Sequence, residues 1–314
     1  MGTASEVETG ASSRIQRRRR RLGRARLGGV IAVGLLVALW VFARPPLVLV
    51  LRGAGLDPRI PKEHQVAPQV HPDLREHGRL FERQLVQVGR VHCAVGYGLA
   101  NLTFIEGQDG VIAIDSGESL AQATEVLRVL RQKTTKPIVA LILTHHHADH
   151  VLGTPALLGE APVQNIPIIA HESLVAGYAE ENGALAELQT LRSTHMFGAA
   201  LQRADREGAN NGLGPFLSGG EGRFVPPTRT FGERLELTLA GVRLELRHVP
   251  SEAESELAVY LPDDRLLLSA DIIQGPTFPN LYTLRGARPR DPLQWVRGID
   301  GLRALAVDAL IGQH

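Results

Sequence analysis

The chain has 314 residues, of which 44% are apolar, and a formal net charge of +1. This size and composition suit one large folded domain or two modest ones. The single cysteine, Cys93, excludes an intrachain disulfide and a cysteine-rich metal site. An arginine block occupies residues 14–26, but no aromatic residue lies among these arginines and an apolar stretch follows, so no nucleic-acid partner is predicted.

The amino-terminal part of the chain is predicted to anchor it in a membrane. Residues 1–26 form a basic cytoplasmic tail and residues 27–51 the transmembrane anchor, whose uncharged core at 27–43 is near the short limit for spanning a bilayer. Because arginines favour the cytoplasmic side, the rest of the chain is expected outside the cytoplasm, in a periplasmic or extracellular location. The alternative is secretion after signal cleavage, although no clear small-residue cleavage site follows the apolar core.

Residues 52–87 are predicted to be a proline-containing linker, and residues 88–314 a folded domain. The domain opens with short apolar runs separated by glycine and aspartate, which is typical of a meander of strands. These runs are residues 91–95, 102–105 and 111–114. Ser119 and Gln122 form a capping box, and apolar residues at helical spacing follow it, so a helix is predicted from residue 120.

A cluster of potential metal ligands follows the next predicted strand. Residues 138–143 are all apolar, which is typical of a strand buried on both faces. Three imidazoles and a carboxylate come directly after it: His145, His147, Asp149 and His150. Such nitrogen and oxygen donors suit zinc or a similar dication. A purely structural role would bury polar rings without partners, at a cost on the order of 1 to 3 kcal/mol each, so a metal site is the favoured interpretation.

The second half of the chain repeats the pattern of short strands. Hairpins are predicted at residues 234–249 and 257–270. A helix with Asp291 as its N-cap is predicted over residues 291–305, and a last strand leads to His314. Two strand-rich halves with outer helices predict an α/β fold in which two sheets pack face to face between helical layers, a four-layer αββα sandwich.

The His-x-His-x-Asp-His motif at a strand end resembles that of the metallo-β-lactamase superfamily, whose fold is this sandwich. Within the superfamily the chain is most similar to the alkyl sulfatases of the dodecyl sulfate hydrolase type, from about residue 70 onward. The segments that carry the resemblance are residues 71–74, 101–107, 144–150, 196–198, 226–229 and 280–286. The last of these, Asn-Leu-Tyr-Thr-Leu-Arg-Gly, indicates this branch in particular. The dimerisation and lipid-carrier-like domains of these enzymes lie beyond the matched region, so their properties are not carried over.

The resemblance implies a binuclear centre with two zinc ions per chain. His145, His147 and Glu252 are assigned to one ion, and Asp149, His150 and His314 to the other, with Asp271 as the bridging carboxylate. These enzymes usually carry glutamate at the bridging position, so the shorter aspartate requires a backbone adjustment or a closer metal pair. Glu254 and Glu256 lie near Glu252 in sequence and compete for its role.

The resemblance further implies hydrolysis of a small anionic alkyl sulfate to alcohol and sulfate by a metal-bridging hydroxide, with Asp149 and Asp271 as catalytic residues. Three carboxylates and the hydroxide balance two dications, so an anionic substrate needs another cation. Arg285 with Asn280 is the candidate sulfate site; a surface ion pair is the alternative role of Arg285. The motif alone also allows another ester, lactone or thioester as substrate, or an inactive domain that binds a partner.

Overall fold

The structure of the protein is a computed structural model that describes residues 72–159, 166–196, 210–217, 219–275, 279–283, 286 and 288–314. The predicted tail, the predicted anchor at residues 27–51 and Arg285 lie outside the described residues.

Seven strands form the first sheet. They are β1 (Gln84–Val88), β2 (Val91–Val95), β3 (Leu102–Glu106), β4 (Val111–Ile114), β5 (Ile138–Ile142), β6 (Ile168–His171) and β7 (Arg229–Phe231). They lie side by side in chain order, with antiparallel pairing from β1 to β4 and parallel pairing from β4 to β7. The predicted meander of strands is confirmed, and the sheet also includes β1, which lies in the segment predicted as a linker.

Five strands form the second sheet. They are β8 (Arg234–Leu239), β9 (Val242–His248), β10 (Leu257–Leu261), β11 (Leu266–Ala270) and β12 (Ala309–Gly312). Their order across the sheet is β12-β11-β10-β9-β8, and all pairs are antiparallel except β11 with β12. Both predicted hairpins are confirmed, as β8 with β9 and β10 with β11.

Short helices accompany the sheets. They are α1 (Pro72–His77), α2 (Leu120–Leu130), α3 (Ala148–Val151), α4 (Thr154–Gly159), α5 (Leu174–Ala179), α6 (Ala186–Met196) and α7 (Pro292–Arg303), with a 3₁₀ turn at Gly78–Phe81 and a π-helical turn at Glu180–Ala184. The predicted N-caps form. Ser119 accepts a hydrogen bond from the Gln122 amide, and Asp291 accepts two from the first turn of α7. The Gln122 side chain accepts from the amide of Glu118, so only half of the predicted capping box is present.

Three apolar clusters define the four layers. A cluster that includes Ile112 and Leu244 fills the space between the two sheets. On the outer face of the first sheet, Leu130 of α2 belongs to a second cluster, and on the outer face of the second sheet Trp295 of α7 clusters with Tyr260. Burial of both faces of each sheet stabilises the sandwich, and the predicted αββα fold is confirmed.

The two sheets bring four strand ends to one region of the sandwich. β4 and β5 are parallel neighbours, so their carboxyl ends lie at one edge of the first sheet, and the same holds for β11 and β12 in the second. Asp115 follows β4, the histidine cluster follows β5, Asp271 follows β11 and His314 lies two residues beyond β12. The fold therefore places predicted ligands that are distant in sequence in one region of the sandwich.

The predicted membrane location is not supported. The longest described helix, α7, has 12 residues. At 1.5 Å per residue it spans about 18 Å, against about 30 Å for the hydrocarbon core of a bilayer. Within the part of the chain that the structure describes, none of the helices combines the length and apolar character that crossing a membrane requires. The prediction of a membrane-anchored chain with its catalytic domain outside the cytoplasm is therefore corrected.

Candidate metal centre

The loop after β5 places two imidazoles close together, with their ring planes nearly perpendicular. His145 and His147 are both buried, and Nε2 of His145 lies 2.9 Å from Nδ1 of His147. Nδ1 of His145 pairs with the Thr144 hydroxyl at 3.0 Å, which fixes the ring and directs Nε2 toward His147. Two ring nitrogens that converge in this way can bind one dication between them.

A second group of donors forms around the carboxyl-terminal histidine. Nε2 of His314 lies 3.3 Å from Nε2 of His150, and Oδ2 of Asp149 lies 3.5 and 3.6 Å from these two nitrogens. The side chain of His314 is only 3% exposed, so the packing of β12 against β11 carries it into the interior. The structure thus brings the three predicted ligands of the second ion together.

Asp271 lies between the two groups. Its Oδ2 is 3.9 Å from Nε2 of His145, 3.6 Å from Nε2 of His150 and 3.0 Å from Nε2 of His314. The preceding residue, Ala270, has a positive φ of 49°, and the pairing of β11 with β12 shifts register next to it. Such an irregularity changes the direction of a side chain, and it supplies a backbone adjustment of the kind expected for the short bridging aspartate.

The three candidate glutamates differ in their surroundings. Glu252 is buried, and its Oε1 lies 3.9 Å from Nδ1 of His147. Glu254 is exposed. Glu256 is fully buried but accepts hydrogen bonds from the amides of Glu252 and Asp271, and burial, with the charges of these two neighbours, raises its pKa well above the usual value. Glu256 therefore braces the backbone of the site, and Glu252 has the better position for a ligand.

Glu181, from the π-helical turn, lies next to two imidazoles of the histidine loop. Glu181 Oε2 is 3.8 Å from Nε2 of His147, and its Oε1 is 3.9 Å from Nε2 of His146. If Nδ1 of His147 held a metal, the ring proton would lie on Nε2, and Glu181 would be the carboxylate on that side of the ring. The neighbouring His146 forms a hydrogen bond with the Ser255 hydroxyl through Nδ1 at 2.7 Å.

Asp115 and Arg290 are among the residues that contact the ligands and that sequence reasoning missed. Asp115 accepts hydrogen bonds from the Thr144 amide at 2.7 Å and from the ring of His150 at 2.8 Å. Its signal was a carboxylate directly after the fully apolar strand β4. Arg290 forms a buried ion pair with Glu252 at 2.7 Å. Arg290 lacked a comparable signal, since it lies in a stretch between predicted elements.

Buried charges set the protonation of the histidines. Burial, with the neighbouring His150, holds the pKa of His145 well below its usual value. Burial acts in the same direction on His150 and His314, but Asp271 and Asp149 outweigh it, so the pKa of His150 is raised well above its usual value and that of His314 to about 9. The raised pKa values of His150 and His314 favour their protonated forms at the position where a dication would lie. Metal binding would release these protons.

The donor set fits a pair of metal ions. Oδ1 of Asp271 and Nδ1 of His314 are buried without a hydrogen-bond partner in the described part of the chain. A carboxylate oxygen in that state is costly unless a cation binds it. A cavity of about 140 Å³, whose lining includes Glu181, Glu252 and Arg290, opens beside the first ion's predicted ligands. Asn280 of the predicted sulfate site is half-buried, and its carbonyl accepts a hydrogen bond from Arg290.

The fold and this donor set define a metallo-β-lactamase-type domain. Residues 95–314 match the metallo-beta-lactamase superfamily, and the chain belongs to that superfamily. Several of its curated relatives are alkylsulfatases. The linear primary-alkylsulfatase of Pseudomonas sp. (strain ATCC 19151) is 42% identical over 212 residues, which cover 67% of this chain and 40% of that protein. The alkyl/aryl-sulfatase BDS1 of Saccharomyces cerevisiae (strain ATCC 204508 / S288c) is 33% identical over 227 residues, or 70% of this chain and 35% of that protein.

A solved structure of an alkylsulfatase has a similar fold. The stereoselective inverting sec-alkylsulfatase Pisa1 from Pseudomonas sp. superposes with a TM-score of 0.71 at 28% identity, over 79% of this chain and 41% of that one. The predicted relationship to the alkyl sulfatases is confirmed. The chain spans only 35 to 41% of the length of these three relatives.

Proposed function

We propose that the protein is a binuclear metal-dependent hydrolase of alkyl sulfate esters. The observation that carries the proposal is the position of Asp271, whose Oδ2 lies within 3.9 Å of His145 on one side and at 3.0 Å from His314 on the other. One carboxylate in reach of both groups of donors is the arrangement that a shared bridging ligand requires. The alkylsulfatase relatives support the choice of substrate class.

In this proposal the chain holds two zinc ions through the residues predicted from the sequence. These are His145, His147 and Glu252 for the first ion, Asp149, His150 and His314 for the second, and Asp271 for both. Imidazole and carboxylate donors without thiolates suit zinc. Two bound dications would lower the pKa of water to about 7 and so supply hydroxide near neutral pH.

The protein's own contribution is to orient the ligands and to receive a proton. The side chain of Asp149 is 14% exposed, the largest exposed fraction among the seven proposed ligands, while those of His145, His150 and Asp271 are at most 2% exposed. Asp149 therefore faces the side from which water and ester arrive, and it is placed to accept the proton released as water adds across the ester bond. The predicted sulfate site at Asn280 and Arg285 remains part of the proposal.

Sulfate release by the purified full chain tests the proposal. We expect sulfate from hexyl or dodecyl sulfate, loss of the activity with a chelator, and its return with Zn²⁺. Asp271→Asn should lower the rate about 100-fold or more. The control Asp263→Asn changes an exposed aspartate in the turn between β10 and β11 and should leave the rate unchanged.

Other outcomes would contradict the proposal in distinct ways. Sulfate release that is insensitive to chelator would exclude the metal-dependent mechanism. Metal-dependent hydrolysis of p-nitrophenyl acetate or a lactone without sulfate release would assign another substrate. Zinc binding with no hydrolysis of any of these compounds would indicate a binding domain.

A further inference from the structure

Arg290 is a buried cation that joins the first group of metal ligands to the segment carrying Asn280. Its side chain is 4% exposed. Nη2 donates to Oε1 of Glu252 at 2.7 Å, and Nη1 donates to the backbone carbonyl of Asn280. The backbone N–H of Arg290 also donates to the carbonyl of Leu281 at 3.0 Å. One residue therefore contacts a ligand carboxylate and two successive carbonyls of the predicted substrate segment.

Glu252 is held at both of its oxygens. Gln274 donates through Nε2 to Oε2, and Arg290 donates to Oε1. With one partner on each side, the carboxylate has a defined rotation about its terminal bond. Each oxygen keeps a second lone pair, so these bonds orient the carboxylate toward His147 without preventing it from binding a cation.

We infer that Arg290 is a positioning residue that couples metal binding at Glu252 to the placement of residues 279–283. This inference rests on the proposed function, because that function makes Glu252 a ligand and Asn280 a contact of the substrate. Because Arg290 contacts both groups, a movement of Glu252 toward His147 on metal binding would be transmitted through the guanidinium to the Asn280 carbonyl. The fork of the guanidinium can make both contacts at once, whereas a lysine ammonium makes them as a single point charge.

The direction of the change in zinc affinity separates positioning from simple electrostatics. A guanidinium beside the metal position repels a dication, so removal of its charge alone would tighten zinc binding. Loss of the orientation of Glu252 would weaken zinc binding instead. Loss of such a supporting hydrogen bond typically costs 10- to 100-fold in metal affinity.

Zinc titration of the full chain in the absence of substrate tests the inference. The dissociation constants are measured by competition with a chromophoric chelator for the wild type, Arg290→Met and Arg290→Lys. We expect Arg290→Met to weaken zinc binding at one of the two sites by about 10- to 100-fold. The zinc affinity of Arg290→Lys should lie between those of the wild type and Arg290→Met. The matched control is Arg288→Met, because Arg288 is 67% exposed and pairs with Glu180 on the surface; its zinc affinity should equal that of the wild type.

Hydrogen exchange of the peptide covering residues 279–290 provides a second readout. Arg290→Met should exchange faster than the wild type in zinc-loaded protein, and Arg288→Met should not. Unchanged or tighter zinc binding in a folded Arg290→Met variant would overturn the inference; should that variant not fold, the same criterion applies to Arg290→Lys. If the wild type releases no sulfate but Arg290→Met still loses zinc affinity and protection, the positioning role stands and the proposed substrate fails.

Discussion

His150 donates its Nδ1–H to Oδ2 of Asp115 at 2.8 Å. A carboxylate oxygen accepts hydrogen bonds, so this contact places a proton on Nδ1 and leaves Nε2 as the nitrogen that can give up its proton to bind a metal. Nε2 is the atom that faces Asp271 at 3.6 Å and His314 at 3.3 Å. Asp115 thus selects the tautomer in which His150 can bind a metal.

Asp115→Asn should weaken zinc binding at the second site by about 10- to 100-fold. Asn tolerates the positive φ of 60° at this position, and its carbonyl can still accept from the Thr144 amide, so the fold should be retained. Isothermal titration with zinc measures the effect, and the exposed Asp109→Asn serves as the control. Equal zinc affinity in the two variants would exclude the role of Asp115.

Glu252→Gln should remove one equivalent of tightly bound zinc, because the amide lacks the charge of the carboxylate that we propose as a ligand. Glu254→Gln should bind two equivalents like the wild type, since Glu254 is exposed. Elemental analysis after dialysis measures the stoichiometry. Loss of zinc in the Glu254 variant, with retention in the Glu252 variant, would reverse the ligand assignment.

The metal-free protein should lose stability as the pH rises from about 6.5 to 9. The folded-state pKa of His314 is raised to about 9, so its contribution is fully present below the unfolded value near 6.5 and is lost as the pH passes through 9. The shift corresponds to a contribution on the order of 3 kcal/mol, and His150 is shifted in the same direction.

Urea unfolding of the metal-free chain at several pH values checks this dependence. His314→Gln should flatten the profile, and saturating zinc should do the same because the metal replaces the proton. A free energy of unfolding that increases between pH 6.5 and 9 would contradict the prediction.

Asp291→Ala should destabilise the protein by about 1 kcal/mol. The side chain accepts hydrogen bonds from two amides at the start of α7, and alanine leaves both without that partner. Asp300→Ala, in the same helix, removes only an exposed pair with Arg303 and should change stability by no more than about 0.5 kcal/mol. Thermal unfolding monitored by circular dichroism compares the two variants; equal losses would exclude a specific role for the cap.

Several parts of the site follow from local sequence. An uninterrupted apolar run ends just before His145, and a strand buried on both faces requires such a run, so the strand and the ligand loop after it are defined within about a dozen residues. The cap at Asp291 and the two hairpins are equally local, because hydrogen bonds between near neighbours determine them. The resemblance to a known family supplied the distant ligands, and sequence periodicity alone does not identify them.

The tertiary structure decided which residues support the ligands. Asp115 and His150 are separated by 35 positions, and Glu252 and Arg290 by 38, so no local pattern pairs them. The first contact depends on the parallel pairing of β4 with β5, and the second on how the chain before α7 packs beside the loop between β9 and β10. The approach of Asp271 to His145 depends in addition on the packing of apolar side chains between the two sheets. The sequence by itself determined the local donors of the loop after β5 and the strand that carries them, whereas only the packed sandwich determined their orientation, because orientation depends on long-range contacts.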